Sequence, residues 1–280
     1  MKYFDAHTHV QFVAYDADRA ATIERAREAG AAMNVVGTQK DTSAAAVALA
    51  EKYDHIYASV GLHPIHTSKS YHDAKEFGSD GKAFTSRGEQ FERANYEELA
   101  RNPRTIAIGE CGLDYYRLEA DTKKLQERTF IEQIELANTV NKPLMLHIRP
   151  ALQSLGDGGD AYDDALAILK AHAKVQGDVH FFAGDWNIAK QFLDLGFTLS
   201  FTGVITFTSD YDEVVKNTPL DMILSETDAP YVTPVPFRGR RNESMHIPLV
   251  VEQIAQIRAE DSEKVSEQLF ANACRVFGIT

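Results

Sequence analysis

Four histidines and two acidic residues recur at one kind of place in this chain, the end of a short apolar run. His7 and His9 follow Tyr3–Asp5, Glu110 follows Thr105–Gly109, and His147 follows Pro143–Leu146. His180 lies within Asp178–Phe181, and Asp228 follows Met222–Ser225. Imidazole nitrogens and carboxylate oxygens together are donors for Zn, Mn, Co or Fe, and the carboxylates also admit Mg. His7 and His9 are two apart, and side chains two apart on a strand point the same way, so the pair can grip one ion. An isolated pair of this kind is as readily one packed and one solvated histidine. The recurrence decides for a metal centre, because buried polar groups cost free energy unless they are paired. Two divalent ions with two carboxylates leave a net positive site, and cations about 3.5–4 Å apart need a carboxylate between them, the role assigned to Glu110. The expected chemistry is hydrolysis by metal-activated water, with two divalent ions held by His7, His9, Glu110, His147, His180 and Asp228. Asp228 can also accept a proton from that water, so Asp228 and Glu110 are the catalytic candidates.

Such groups converge only if the fold brings many strand ends to one cavity. Runs rich in Val, Ile, Leu and Met alternate with segments of helical period almost from end to end. Further candidate strands are Met33–Gly37, Ile56–Gly61 and Thr198–Phe201, and candidate helices include Asp18–Ala29, Thr122–Val140, Asn187–Leu195 and a closing amphipathic helix Ser262–Phe277. Eight strands alternating with helices predict an α/β chain folded as a (β/α)₈ TIM barrel, in which catalytic groups come from the carboxyl ends of the strands. The 280 residues fit one such domain spanning 1–280, with long loop insertions near 65–95 and 150–162 on the face where the strands end.

Several other residues share this setting. His63, in Gly61-Leu62-His63-Pro64, ends a strand and is expected to line the pocket. Glu226, in Ser225-Glu226-Thr227-Asp228, is placed to orient a ligand from behind. Arg149, Arg238 or Arg240 could hold a phosphate through paired hydrogen bonds. Cys111 abuts Glu110 but is read as a packing residue, and His55, His66, His72, His172 and His246 as surface or structural residues.

Composition narrows the partners. A formal net charge of −12 argues against a broad basic surface for nucleic acid, so an anionic substrate has to be captured locally. Two cysteines, Cys111 and Cys274, are too few for a disulfide framework, no run approaches 18 apolar residues, and the first residues lack a secretory signal. A cytoplasmic protein with no membrane association and no obligate protein partner is expected.

The chain resembles the TatD family of metal-dependent deoxyribonucleases. The resemblance is carried by Phe4-Asp5-Ala6-His7-Thr8-His9, Gly61-Leu62-His63-Pro64 and Ile108-Gly109-Glu110-Cys111-Gly112-Leu113-Asp114-Tyr115. It continues through Pro143-Leu144-Met145-Leu146-His147 and Glu226-Thr227-Asp228-Ala229-Pro230-Tyr231 into Pro234-Val235-Pro236-Phe237-Arg238-Gly239-Arg240-Arg241-Asn242-Glu243. It implies a barrel of the amidohydrolase type, with His7, His9, Glu110 and Asp228 on one metal and Glu110, His147 and His180 on the other. It also implies a DNase, an exonuclease cutting phosphodiester bonds from an end of single-stranded DNA. Where the family has a Cys-Phe-Ser-Gly run after the histidine corresponding to His180, this chain has Phe181-Phe182-Ala183-Gly184-Asp185, and a Ser-Arg-Asp-Ala run is replaced by Ile148-Arg149-Pro150-Ala151. A small-molecule metallohydrolase acting on a phosphoester, lactone or amide remains the enzymatic alternative, and a non-catalytic metal-binding module the other.

Overall fold

The computed structural model describes residues 1–69, 71–72, 84–86, 88–116, 122–151 and 160–279. Eight parallel strands form one sheet in the order β1 (Tyr3–Thr8), β2 (Ala31–Val36), β3 (Ile56–Val60), β6 (Thr105–Asp114), β7 (Leu144–Arg149), β8 (Gly177–Val179), β9 (Thr198–Phe201) and β10 (Ile223–Ser225). The sheet curls into a nearly closed barrel whose ends meet where Thr8 bridges Ala229 in parallel, with His9 N–H donating to the Ala229 carbonyl at 2.8 Å and Asp228 N–H to the His7 carbonyl at 2.9 Å. Strands β4 (Tyr71–His72) and β5 (Phe84–Thr85) pair separately as a small antiparallel hairpin.

The helices up to Asn217 lie between consecutive barrel strands because each parallel connection must cross back over the sheet, and the last two follow β10. They are α1 (Arg19–Glu28), α2 (Lys40–Lys52), α3 (Arg93–Ala100), α4 (Thr122–Val140), α5 (Ala161–His172), α6 (Trp186–Asp194), α7 (Asp212–Asn217), α8 (Ile247–Arg258) and α9 (Ser262–Phe277). Side-chain caps fix several starts: Asp160, Asp185 and Asp261 accept from the backbone N–H of Tyr162, Ile188 and Lys264. Helix α9 packs over the β1–β10 seam, where Asn272 Nδ2 donates to the Leu220 and Ile223 carbonyls at 2.7 and 2.8 Å.

The expected strands are present, with different ends. Strand β1 runs on to Thr8, β6 to Asp114 and β7 to Arg149, so His7, Glu110 and His147 lie within strands rather than after them. Strand β8 stops at Val179, leaving His180 just past its end, and α6 begins one residue before the expected Asn187. Pairing in a sheet continues past the apolar run as long as a neighbouring strand supplies partners. Here β6 Gly112 to Asp114 pairs with β7 His147 to Arg149. This approach requires glycine: a Cβ on Gly112, at φ 139°, would sit 2.1 Å from the His147 carbonyl oxygen.

The 65–95 connection begins with a 3₁₀ turn at Pro64–His66, and its far flank returns beside this turn, with Glu89 N–H donating to the His66 carbonyl at 2.8 Å. Of the stretches expected to be long loops, 70, 73–83 and 87 in the first and 152–159 in the second lie outside the described residues. Residues 161 and 162, placed in the second loop by sequence, open α5.

Candidate metal centre

Extended strands leave alternate side chains on a shared face, so His7 and His9 come from β1 and its exit, and Glu110 and Asp114 from β6. His147 comes from β7, His180 from just beyond β8, and Glu226 and Asp228 from just beyond β10. All six expected ligand residues are brought together around Glu110. Its Oε2 lies 3.3 Å from His7 Nε2 and 3.7 Å from His9 Nε2, and Asp228 Oδ1 stands 3.9 and 3.4 Å from the same two nitrogens. Its Oε1 faces the other way, 3.0 Å from His147 Nδ1, 3.2 Å from His180 Nε2 and 3.2 Å from His63 Nε2.

Asp228 is held at φ 50°, a left-handed conformation unusual for a residue with a side chain. Its own N–H donates to the His7 carbonyl, and its carbonyl accepts from Tyr231 N–H, both at 2.9 Å, so the turn is fixed on both sides.

Where each imidazole keeps its proton decides what it can do. His9 Nδ1 lies 2.8 Å from the Val36 carbonyl, which can only accept, so the proton sits on Nδ1 and Nε2 turns a lone pair inward. His147 Nε2 lies 2.9 Å from Asp114 Oδ2, leaving the lone pair of Nδ1 toward Glu110. His180 Nδ1 faces Glu226 Oε1 at 3.3 Å and its Nε2 faces Glu110. This is the arrangement of carboxylate- or carbonyl-backed metal histidines. His7 Nε2 and His9 Nε2 stand only 3.1 Å apart, and His7 Nδ1 is buried with no hydrogen-bond partner. Inward lone pairs at that spacing suit a shared cation, so the donors fit divalent metal. Among the described residues, three trios of ligand atoms lie close enough to hold an ion: His7, His9 and Glu110; His7, His180 and Asp228; and His63, Glu110 and His147.

His63 passes that distance test but has the opposite polarity. Ile65 N–H donates to His63 Nδ1 at 3.2 Å, so in the neutral ring the proton is on Nε2, directed at Glu110 Oε1. Burial, with His147 alongside, pushes the His63 pKa down to about 4, which keeps the ring neutral. His63 thus presents a donor to the centre, in keeping with a pocket-lining residue.

Burial opposes ionisation of Glu110, but the imidazoles of His63, His7 and His180 outweigh it and hold the carboxyl well below its ordinary range. Burial likewise works against charging His180, yet Glu226 and Glu110 raise its pKa well above the ordinary imidazole value. His7 moves the other way, lowered by burial and by His180, whose ring stacks on it at 3.8 Å.

Asp114 escaped the reading of the sequence, although a usable signal was present: Glu110, Gly112 and Asp114 alternate on one face of a strand, the same logic that singled out His7 and His9. Asp114 and Glu226 add two carboxylates that the charge count had left out, so a loaded centre is less positive than that count implied. Deeper still, Ser200 Oγ lies 2.7 Å from both Asp178 Oδ2 and Glu226 Oε2. One hydroxyl proton cannot serve two carboxylates. Burial and the adjacent Glu226 push the Asp178 pKa up to about 7, and a protonated Asp178 supplies the second hydrogen bond.

Neither Arg149 nor Arg238 enters this cluster. Arg149 lies over the Tyr116 ring, its Cζ 3.7 Å from the centroid, and Arg238 lies over Phe207 at 3.9 Å. Arg240 is near Phe237 at 5.9 Å. Cys111 is fully buried with its thiol pKa raised by burial, as a packing residue should be. His246 is buried against the Phe237 ring, whereas His66 is half-buried with its ring 6.0 Å from that of His63.

A nearly closed parallel barrel carrying imidazoles and carboxylates at the strand ends defines a metal-dependent hydrolase of amidohydrolase-like fold. Residues 4–278 match the family model described as TatD related DNase, and the chain belongs to that family. It is 36% identical over 281 residues to YabD of Bacillus subtilis, an uncharacterized metal-dependent hydrolase, with 99% of each chain covered. It is 33% identical over 285 residues to the uncharacterized metal-dependent hydrolase TatD of Mycobacterium tuberculosis, covering 98% of this chain and 97% of the other. Among solved structures, the TatD homologue YjjV of Escherichia coli superimposes with a TM-score of 0.79 at 26% identity, covering 100% of this chain and 99% of that one.

Proposed function

We propose that the protein is a DNase that removes nucleotides from an end of single-stranded DNA, with two divalent ions seated on either side of Glu110. The observation that carries this reading is the division of the Glu110 carboxylate, Oε2 toward His7 and His9 and Oε1 toward His147 and His180. His7, His9 and Asp228 would hold one ion with Oε2, and His147 and His180 the other with Oε1. Divalent metal held by these residues would polarise a phosphoryl oxygen and make water acidic enough to attack at neutral pH. Asp228 Oδ1 is positioned to take the proton released, since its side chain is 13% exposed against 4% for Glu110 and so meets entering water. His63 Nε2–H can donate to an oxygen of the reacting phosphate, and Asp114 and Glu226 keep His147 and His180 turned inward. The whole chain 1–280 acts as one barrel domain in this reading, and its two free thiols suit a reducing cytoplasm. Among the described residues no helix is long and apolar enough to cross a membrane.

The test is metal-loaded protein incubated with 5′- and 3′-labelled single-stranded DNA, blunt duplex and a chromogenic phosphodiester, with Asp228→Asn as the control for contaminating nuclease. Progressive shortening of the single strand, lost in the variant, is expected. Turnover of the small ester without DNA shortening would remove the nuclease and leave the hydrolase.

A further inference from the structure

Phe207 and Val235 are two of the four exposed large hydrophobic side chains among the described residues, at 42% and 45% exposure. They sit on neighbouring loops at the mouth, Phe207 beyond β9 and Val235 beyond β10. These loops are tied together: Val235 N–H donates to Thr206 Oγ1 at 3.0 Å, and Thr206 Oγ1 donates to the Gly203 carbonyl at 2.7 Å. Gly203 lies so close that a Cβ there would be 2.4 Å from the Val232 carbonyl oxygen. Arg238 is oriented over the Phe207 ring while its Nη1 donates to the Thr233 carbonyl at 3.1 Å. The exposed ring is therefore fixed in place rather than loose.

A second pair has the same composition. Arg149, at the end of β7, covers the Tyr116 ring at 3.7 Å, and Tyr116 follows β6, its N–H donating to Asp114 Oδ1 at 3.0 Å. Around the barrel the strands run β6, β7, β8, β9, β10. One Arg–aromatic pair therefore stands after β6 and β7, the other after β9 and β10, and His180 at the end of β8 lies between them.

We propose that Phe207 with Arg238, and Tyr116 with Arg149, form two base-stacking platforms that grip unpaired nucleotides on either side of the scissile phosphate. A ring–guanidinium stack offers a flat apolar surface for a base and a cationic edge for its phosphate, which is how single strands are held without sequence preference. Bases inside a duplex are stacked on each other and cannot use such platforms. The chain carries a net charge of −12, so these arginines at the mouth are local attraction on an otherwise acidic protein. The proposal rests on the DNase reading, and it names the substrate feature recognised: an unpaired base with its own phosphate.

The experiment is a cycle between ring and base. Steady-state cleavage by the metal-loaded protein is measured on an end-labelled single-stranded oligonucleotide and on copies with one abasic residue at successive positions around the cut. Phe207→Ala and Tyr116→Ala are each compared with wild type, and Phe207→Trp and Tyr116→Phe test rescue by another ring. Each Ala variant should raise KM about tenfold (~1.4 kcal/mol), within the range for stacking one base. The Ala penalty should disappear when the base at one particular position, different for the two rings, is absent, and the aromatic replacements should restore KM. Cleavage by wild type with unchanged KM in the Ala variants, or a penalty that persists on every abasic copy, overturns the platforms and leaves the nuclease standing. No shortening of any DNA by wild type, with a chromogenic phosphodiester still hydrolysed, overturns the nuclease and the platforms together.

Discussion

Replacing Asp114 by Asn should disable one half of the centre and spare the other, through a single proton. Asp114 accepts on both carboxylate oxygens: Oδ1 from Tyr116 N–H at 3.0 Å and Oδ2 from His147 Nε2 at 2.9 Å. The carboxyl stays ionised, its pKa held at about 2: burial pushes it up, but His147, by hydrogen bond and by charge, and Arg149 more than compensate. In Asp114→Asn the Tyr116 N–H still needs an acceptor, so the amide oxygen takes the Oδ1 place and the NH₂ group faces His147. A donor there forces Nε2 to accept, which moves the imidazole proton to Nδ1, the nitrogen 3.0 Å from Glu110 Oε1. That nitrogen then has no lone pair for an ion.

Loss of an outer carboxylate behind a metal histidine typically costs 10–100-fold in affinity, ~1.4–2.7 kcal/mol. The forced tautomer places Asp114→Asn at the upper end. Asp114→Ala admits water, which can donate or accept, and should lose less although it removes more atoms. Calorimetric titration of metal into chelator-treated protein should show one class of site weakened about 100-fold in Asn and about 10-fold in Ala, with the class lined by His7 and His9 unchanged. Equal losses for Asn and Ala, or weakening of both classes alike, would refute the tautomer argument.

The strand-end histidines were legible because chemistry and periodicity coincided: an HxH after an apolar run states its face, and polar groups recurring after later runs state a shared cavity. Asp114 was less legible because β6 continues four residues beyond Glu110, and only the pairing with β7 reveals that continuation. The polarity of His63 was beyond sequence, since it depends on the Ile65 N–H that the turn after Pro64 points back at the ring. Arg149 and Arg238 stand out in the sequence as phosphate-binding candidates, yet their aromatic partners, from other loops, have no signature in either residue's own neighbourhood. Asp178 and Ser200 read as ordinary strand residues, and the need for a second proton, on Asp178, arises only where β8, β9 and the exit of β10 meet.

Glu110→Ala should abolish paired metal binding, because it leaves two cations without the carboxylate between them; elemental analysis finding two metals per chain in the variant would contradict the bridge. His9→Ala and His147→Ala should give different recovery curves when activity is restored by adding metal back, and superimposable curves would argue for a single site. Metal affinity should climb as pH rises through and above the ordinary imidazole range: His180 is raised by Glu226 and Glu110 despite burial, and His9 and His147 are also raised. Protons on these rings compete with the ion and are displaced more easily at higher pH, so an affinity that is flat from pH 6 to 8 would count against the assignment. Finally, Asp178→Asn should flatten the stability of the metal-free protein against pH. An acid whose folded pKa is raised from 3.8 to about 7 contributes stability that is fully present below the unfolded value and lost as pH rises through about 7, up to ~4 kcal/mol in all. Asparagine copies the protonated acid, its oxygen accepting from Thr198 Oγ1 where Oδ1 does at 2.7 Å, and its NH₂ donating to Ser200, which donates on to Glu226. The difference in unfolding free energy, variant minus wild type, should therefore grow between about pH 4 and pH 7 and level off above that. Parallel stability curves would place the proton elsewhere.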